Sequence, residues 1–274
     1  MTIKAIVLDL DFTLLNRERK VGKRTLSRLI EAYQQGFTLI IATSRPIRIV
    51  RNLVPAELLE LTTLITLNGA VVHEFTRDHQ WQMACLGLEA RHLVAALRET
   101  DPPVQITAEC WGENFATNRD YCAETLLQKQ NATPAMLKQL DDIDYGWLSK
   151  ITADGQGHSL EALMAWQENY SDFRFVPTDD FKVINIIPTA VGKSTAVERV
   201  LARLNITPAE TVAFGDEIPD IRLLELVGLG IAMGNAKPEV KAVADLVIGD
   251  CDEDPIADFL DVTLLRQTPK VQTA

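Results

Sequence analysis

Short apolar runs that alternate with helical stretches constrain the fold of this chain more than any other sequence feature. The runs at residues 3–8, 37–42 and 63–67 are partly β-branched, which is typical of buried parallel strands. Between the first two runs, residues 23–35 carry apolar side chains at helical spacing and end at Gly36. Alternating strands and helices predict an α/β fold with a parallel sheet and right-handed crossovers.

The regular alternation stops near residue 80. The stretch 81–183 contains all four tryptophans. Its patterns predict two helices, at residues 86–100 and 159–170, and three strands, at residues 105–108, 149–152 and 173–176. We interpret this stretch as an inserted α+β domain of roughly 100 residues.

The first pattern then returns, with apolar runs at residues 183–187, 211–214, 228–233 and 246–248. We therefore expect a discontinuous core domain formed by residues 1–80 and 184–274, interrupted by an α+β domain of residues 81–183. Residues 267–274 are polar, and we expect this tail to be frayed.

The composition is that of a globular protein, with 47% apolar and 24% charged residues in a chain of 274 residues. It excludes a disordered, collagenous or coiled-coil chain. The net charge of −11, from 27 basic and 38 acidic residues, repels phosphate backbones, and no basic patch offsets it, so we expect no nucleic-acid partner.

The chain has no run of roughly 18 apolar residues and no export signal, so we expect no membrane association and a cytoplasmic location. Four cysteines without C-x-x-C spacing and four histidines without ligand spacing predict neither a zinc site nor a disulfide framework. The oligomeric state cannot be read from the sequence.

Two carboxylates, Asp9 and Asp11, directly follow the first predicted strand. Ligands of open parallel sheets bind at the carboxyl ends of the strands. A carboxylate pair there can hold Mg²⁺, and one carboxylate can attack phosphorus while the other acts as acid and base. The alternative is that both residues only cap the loop.

Two further segments place polar groups at helix starts. Thr43 and Ser44 follow the second strand and suit either a phosphate or an ordinary helix N-cap. The segment 192–195 resembles the end of a P-loop, but Ile187 stands where that motif needs glycine. Lys193 therefore remains either as a cation that neutralises phosphate charge or as a surface lysine.

Three carboxylates, Asp216, Glu217 and Asp220, follow the run at residues 211–214. Asp216 stands at a strand end and is well placed for a metal. Asp220 can serve the same site or can be a partner of a helix macrodipole.

These residues together form a recognisable motif set. The quoted segments are Asp9-Leu10-Asp11-Phe12-Thr13-Leu14-Leu15, Thr43-Ser44-Arg45, Asn68-Gly69, Lys193, Gly215-Asp216 with Asp220, and Ala232-Met233-Gly234-Asn235-Ala236. In this order they resemble D-x-D-G-T-L-L, T-G-R, N-G, the lysine of the third motif, G-D-x-x-N-D and A-M-G-N-A of the haloacid dehalogenase superfamily. The resemblance covers nearly the whole chain and is specific to Cof-type phosphatases with a C2 cap.

The resemblance implies a Rossmann-like parallel-sheet core with an inserted α+β cap of the C2 type. It also implies Mg²⁺-dependent hydrolysis of small phosphate monoesters, of the sugar phosphate or pyridoxal phosphate class. Asp9 is the expected nucleophile, which forms an aspartyl phosphate, and Asp11 is the expected general acid and base.

The resemblance also assigns the remaining site residues. The expected metal ligands are Asp9, Asp11, Asp216 and Asp220, with a backbone carbonyl of Leu10 or Asp11 as the contact from that segment. The expected phosphate-binding residues are Leu10, Thr43, Ser44 and Lys193. The expected substrate-binding residues are Arg45, Asn68, Gly69 and Asn235.

The chain departs from the family pattern at three positions. Phe12 and Ser44 replace glycines, and Pro219 replaces an asparagine that helps to bind phosphate. Phe12 and Pro219 leave open the alternative of a binding or regulatory protein that has lost turnover. A phosphosugar phosphotransferase on the same fold is a second alternative. Because all the charged positions remain, we expect hydrolytic activity.

Overall fold

The computed structural model describes residues 2–264, so the predicted frayed tail at 267–274 lies outside the described residues. Within this range the chain forms fourteen strands, in order β1 to β14: Ala5–Asp9, Thr38–Ala42, Thr62–Thr66, Val71–Glu74, His79–Gln82, Gln105–Cys110, Asn114–Thr117, Leu137–Lys138, Leu148–Asp154, Phe173–Thr178, Val183–Pro188, Thr211–Gly215, Leu229–Ala232 and Leu246–Val247.

The same residues form nine α-helices, α1 to α9: Lys23–Gln34, Ile47–Leu53, Ala56–Leu59, Ala90–Arg98, Ala123–Gln130, Lys193–Arg203, Ile221–Leu226, Pro238–Val243 and Pro255–Phe259. Short 3₁₀ segments connect several of them. The segment Glu161–Asn169, for which the sequence predicted an α-helix, is a 3₁₀-helix.

The first sheet has eight strands in the order β14-β13-β12-β1-β2-β3-β4-β5. The six strands from β14 to β3 run parallel, and β4 and β5 continue the sheet in antiparallel pairing. All residues of β1, β3 and β12 are buried, as expected for apolar strands in a parallel sheet. The predicted parallel-sheet α/β fold is confirmed.

The second sheet has six strands in the order β10-β11-β9-β6-β7-β8. Its strands pair antiparallel except β7 with β8. Apolar side chains of α4 pack with those of β6, β9 and β11 in a core separate from that of the first sheet. The insert therefore has the mixed helix and strand content that the sequence predicted.

The strand β11 differs from the sequence-based expectation. The sequence assigned residues 184–188 to the core domain, but β11 lies between β9 and β10 of the second sheet. At the other crossing, β5 extends the first sheet to Gln82, past the predicted boundary at residue 80. An apolar run shows that a strand is buried, but it does not show which sheet the strand joins.

Within residues 2–264, no helix combines the length and the apolar character needed to cross a membrane.

Candidate active site

The predicted meeting of strand ends occurs at one edge of the first sheet. The strand β1 lies between β12 and β2, and all three run in the same direction. Asp9 is the last residue of β1, Thr43 follows β2, and Asp216 follows β12. Three chain segments that are far apart in sequence therefore bring their polar residues to the same edge.

Lys193 lies at the centre of this edge. It is the first residue of α6, and it is buried. Its Nζ atom donates to Asp9 Oδ1 at 2.5 Å and to Asp220 Oδ1 at 2.6 Å. The structure therefore excludes the alternative of an ordinary surface lysine.

The loop after β12 is held by its own carboxylate. Asp220 Oδ2 accepts hydrogen bonds from the backbone N–H groups of Asp216 and Glu217. Asp216 in turn accepts a hydrogen bond at 2.8 Å from the hydroxyl of Thr13. Both oxygens of Asp220 are thus in use, whereas Asp216 keeps one oxygen without a hydrogen-bond partner among the described residues.

Asp9, Asp216 and Asp220 form a buried acidic cluster in which one carboxylate oxygen of each residue lies within 4.8 Å of the others. Burial raises the pKa of Asp9 well above its usual value; Lys193 opposes this rise, and Asp220 and Asp216 add to it. Burial likewise raises the pKa of Asp216 to about 7. One lysine does not balance three buried carboxylates, and carboxylate oxygens are what Mg²⁺ prefers, so the cluster fits a divalent cation.

The pKa of Lys193 also reflects the excess of negative charge in this cluster. Burial works against its charged form, but the carboxylates of Asp220 and Asp9 raise the pKa of Lys193 above its usual value. Lys193 is therefore a permanent cation beside Asp9.

Asp11 lies outside this acidic cluster. Its two carboxylate oxygens accept hydrogen bonds from Arg45, with Nη2 to Oδ1 and Nε to Oδ2 both at 2.7 Å. This is a bidentate, half-buried ion pair. The structure thus places the Asp11 side chain with Arg45, which leaves open the expected metal contact through the Asp11 backbone carbonyl.

Phe12 takes the backbone conformation that a glycine would adopt there. Its φ of 56° is left-handed, and its side chain is 48% exposed. Asn235 Nδ2 donates to the Phe12 carbonyl at 2.8 Å, and Asn235 Oδ1 accepts from the backbone N–H of Cys251. Asn235 therefore supports the loop that follows β1, and about half of the Phe12 side chain is exposed to solvent.

The segment after β2 is shaped by local hydrogen bonds. The backbone N–H of Arg45 donates to the Thr43 hydroxyl at 3.1 Å. The carbonyl of Ser44 accepts a hydrogen bond at 3.0 Å from Nζ of Lys150, a residue of β9 in the second sheet. Leu10 is fully buried, and its carbonyl accepts from the backbone N–H of Leu15.

The turn after β3 closes on the same edge. Asn68 is left-handed, with φ 61°, and its backbone N–H donates to the Thr43 carbonyl at 3.0 Å. Its side-chain oxygen is buried without a hydrogen-bond partner among the described residues. Gly69 follows with φ 104°, and a Cβ there would lie 2.4 Å from the Gly192 carbonyl oxygen. The turn therefore touches the residue before Lys193.

We expect Gly69→Ala to destabilise the protein by about 1–3 kcal/mol more than Gly36→Ala. Both glycines have positive φ, but a Cβ at Gly36 would meet nothing within 4 Å. The Gly36 variant therefore isolates the conformational cost, and the difference between the two variants isolates the clash with Gly192. Denaturant unfolding measures both, and equal costs would show that Gly192 can move without penalty.

A cavity of about 380 Å³ adjoins Lys193 and Asn68. Strand β10 of the second sheet supplies part of its wall, including Arg174. Pro219 and Arg222 supply another part from the loop and helix after β12. Pro219, which replaces the family's asparagine, therefore lies in the wall of this cavity.

Sequence reasoning missed three cations near the site: Lys150, Arg174 and Arg222. None stands in a recognisable motif, and two lie in strands of the second sheet whose register against the first sheet is not encoded in a local pattern. In the sequence, the one feature that could have drawn attention to these three residues is their positive charge in an acidic chain.

A sequence model of the family described as haloacid dehalogenase-like hydrolases matches residues 6–260. The chain is 28% identical over 261 residues to an HMP-PP phosphatase of Yersinia enterocolitica, covering 92% of each protein. It is 26% identical over 266 residues to the 5-amino-6-(5-phospho-D-ribitylamino)uracil phosphatase YitU of Bacillus subtilis, covering 93% of this chain and 95% of that protein.

Among solved structures, a haloacid dehalogenase-like hydrolase from Bacteroides thetaiotaomicron superposes with a TM-score of 0.81 at 22% identity. The superposition covers 95% of this chain and 99% of that one, which shows that the two share a fold. The family model matches nearly the whole chain, so it shows the family as well as the fold. The chain belongs to the haloacid dehalogenase-like hydrolase family, and the prediction of a Cof-type phosphatase is confirmed.

Proposed function

We propose that this phosphatase hydrolyses small phosphate monoesters, of the sugar phosphate or pyridoxal phosphate class, through an aspartyl phosphate on Asp9. The observation that carries the proposal is the contact of Lys193 with Asp9 beside the buried acidic cluster. A nucleophilic carboxylate, a fixed cation and an acidic cation site are the parts that phosphoryl transfer needs.

The two carboxylate oxygens of Asp9 differ in their hydrogen bonds. Oδ1 accepts the hydrogen bond from Lys193, and Oδ2 has no hydrogen-bond partner among residues 2–264. A lone pair of Oδ2 forms the bond to phosphorus as the bond from phosphorus to the leaving oxygen breaks. Lys193, which is already beside Asp9, is placed to hold a phosphoryl oxygen during this exchange.

Asp11 supplies and removes the protons in this proposal. In its protonated form it gives a proton to the leaving oxygen, and the resulting carboxylate then takes one from the water that attacks the phosphorus of the aspartyl phosphate, which restores the protonated form. That attack releases inorganic phosphate and restores the Asp9 carboxylate. Since both Asp11 oxygens are held by Arg45, the substrate must first displace this guanidinium from at least one of them.

Mg²⁺ would be held by Asp9 and Asp216, with Asp220 at its side. Asp216 keeps a carboxylate oxygen unused, whereas both oxygens of Asp220 already accept hydrogen bonds. We therefore propose Asp9 and Asp216 as side-chain ligands and Asp220 as the group that orients Lys193 and the loop. When bound, the ion neutralises charge on the transferring phosphoryl group.

We expect Mg²⁺ to stabilise the protein more at about pH 8 than at about pH 5. The pKa of Asp216 is raised to about 7 in the folded protein, so the folded state keeps a proton that the unfolded chain has released. The metal-free protein therefore loses stability as the pH rises from roughly 4 to 7. At about pH 5 the cation must displace this proton, which weakens its binding roughly 100-fold.

The Mg²⁺-induced increase in melting temperature at the two pH values measures this effect. Asp216→Asn is the control, because it removes the titrating ligand and should remove most of the increase at both pH values. An equal or larger increase at the lower pH would contradict the assignment of Asp216 as a ligand.

We propose that the part of the chain with the second sheet is the cap that covers the site. Two polar contacts support this proposal, one from Lys150 to Ser44 and one from Arg48 of α2 to Glu109 of β6. Burial lowers the pKa of Lys150 to about 8, as expected for a lysine enclosed between the two parts.

Phosphate release from a panel of phosphomonoesters, with and without Mg²⁺, tests the proposed function. Release that requires Mg²⁺ and Asp9 is the expected result. Phosphorus NMR of the products separates hydrolysis from a phosphotransferase, which would yield a shifted phosphate ester. Tight ligand binding without any phosphate release in a folded protein would instead favour the binding or regulatory alternative that Pro219 motivates.

A further inference from the structure

Two arginines that form no ion pair among the described residues line the cavity beside Lys193. Arg174 comes from β10 of the second sheet, and Arg222 comes from α7 behind the β12 loop. Within residues 2–264 neither forms an ion pair with an acidic residue, although nine other arginines of that region do. The chain has 38 acidic and 27 basic residues, so acidic partners are plentiful. Two arginines without such a partner in one cavity therefore indicate that the cavity binds an anionic ligand.

Arg174 is the more constrained of the two. Its Nε atom is buried and has no hydrogen-bond partner among the described residues, while an Nη atom donates to the Val191 carbonyl. Burial lowers the pKa of Arg174, and the positive charge of Arg222 lowers it further. A half-buried guanidinium with an unsatisfied donor, held close to a second guanidinium, costs free energy unless a ligand compensates it.

The remaining lining residues of the cavity indicate what chemistry its ligand has. Lys193 and Asn68 mark the end where the phosphoryl group reacts. Apolar groups line the wall: Val176, Pro177, Ile187, Ile218 and Pro219. Glu217, the one acidic residue in the lining, is paired with Lys237 at 2.9 Å, so its charge does not oppose an incoming anion.

We propose that Arg174 and Arg222 together bind a second anionic group, a carboxylate or a phosphate, on the leaving group of the phosphate ester. This inference deepens the proposed function and rests on it, because the first phosphate must sit at Asp9. The volume of about 380 Å³ fits a small metabolite with a short carbon skeleton between its two anionic ends. Pro219, which stands where the family has asparagine, gives this carbon skeleton an apolar surface to contact.

The test measures binding without turnover, in protein that carries Asp9→Asn. Calorimetry compares two pairs of ligands that differ only in the second anion. The pairs are 3-phosphoglycerate with glycerol 3-phosphate, and fructose 1,6-bisphosphate with fructose 6-phosphate. The first pair tests a carboxylate and the second tests a phosphate, and the pair with the larger difference identifies the group.

In the Asp9→Asn protein the ligand with the second anion should bind more tightly than its counterpart. Adding Arg174→Gln should reduce this preference roughly 10- to 100-fold. Adding Arg222→Gln should reduce it roughly 3- to 10-fold, since this arginine is exposed and its charge is screened. Arg222→Gln alters a surface position, so it keeps the test valid if the Arg174 variant folds poorly.

The matched control is Arg199→Gln, which removes the same charge from an exposed position of α6 outside the cavity lining. It should leave the preference unchanged. Equal binding of both members of each pair, or a preference that survives both arginine substitutions, would overturn the inference. Failure of the proposed function is seen separately, as hydrolysis of phosphate esters that does not depend on Asp9.

Discussion

Asp9→Asn should lower the rate of phosphate ester hydrolysis at least about 1000-fold. Asparagine keeps the size of the side chain and one oxygen, but its amide cannot form the bond to phosphorus. The substitution also removes the negative charge that Lys193 contacts at 2.5 Å. Because the proposed substrate contacts are Lys193 and the cavity rather than Asp9, the loss should fall on kcat and much less on KM.

Steady-state kinetics with a chromogenic phosphate ester, in the presence of Mg²⁺, measure this loss. Asp78→Asn is the matched control, since it makes the same chemical change at an exposed turn with left-handed backbone. It should hydrolyse the ester at the wild-type rate. An Asp9→Asn protein within about tenfold of the wild type would remove Asp9 from the role of nucleophile.

Arg48→Met should lower the free energy of unfolding by about 3–5 kcal/mol. Arg48 lies in α2, and Glu109 lies in β6 of the second sheet, and both side chains are buried. Two hydrogen bonds join them, from Nη1 to Oε2 at 2.6 Å and from Nη2 to Oε1 at 2.7 Å. Methionine would leave the Glu109 carboxylate buried without its partner, which costs more than the lost pair itself.

The same helix provides the control for this prediction. Arg51 pairs with Glu113 at 2.5 Å, but both side chains reach solvent, so Arg51→Gln should cost less than about 1 kcal/mol. Replacing both buried partners, as Arg48→Met with Glu109→Leu, should recover most of the lost stability. Denaturant unfolding compares the variants, and an Arg48→Met cost no larger than that of Arg51→Gln would show that the buried pair is not what joins helix and sheet.

The sequence predicted which residues meet at one edge of the first sheet, because most of them stand beside a local signal. Asp9, Thr43 and Asp216 directly follow apolar runs that form parallel strands, and parallel strands end at one edge. Lys193 was the exception among them, because in isolation it looked like a surface lysine. Its burial results from Asp9 and Asp220, which approach it across 184 and 27 residues of sequence.

The sequence did not predict the contacts between the two sheets. The partners Arg48 and Glu109 are 61 residues apart, and Lys150 and Ser44 are 106 residues apart. Such contacts depend on how the second sheet sits over the first, and no hydrophobic period encodes that placement. The assignment of β11 to the wrong sheet has the same origin, since pairing between strands is decided by tertiary context.

The sequence also did not predict the ion pair between Asp11 and Arg45. The motif named both residues, but it did not show that the resting site holds them together through two oxygens. In the proposed mechanism, the substrate therefore displaces Arg45 before Asp11 transfers a proton.

The most direct measurement is to trap the covalent intermediate. Wild-type protein mixed with a phosphate ester and Mg²⁺, quenched in acid within one turnover and digested, should yield a peptide spanning Asp9 that has gained the mass of one phosphoryl group. The peptide should lose this group on treatment with hydroxylamine, as an acyl phosphate does, and the Asp9→Asn protein should show none. An unmodified Asp9 peptide during active turnover, or a phosphoryl group on another residue, would contradict the account.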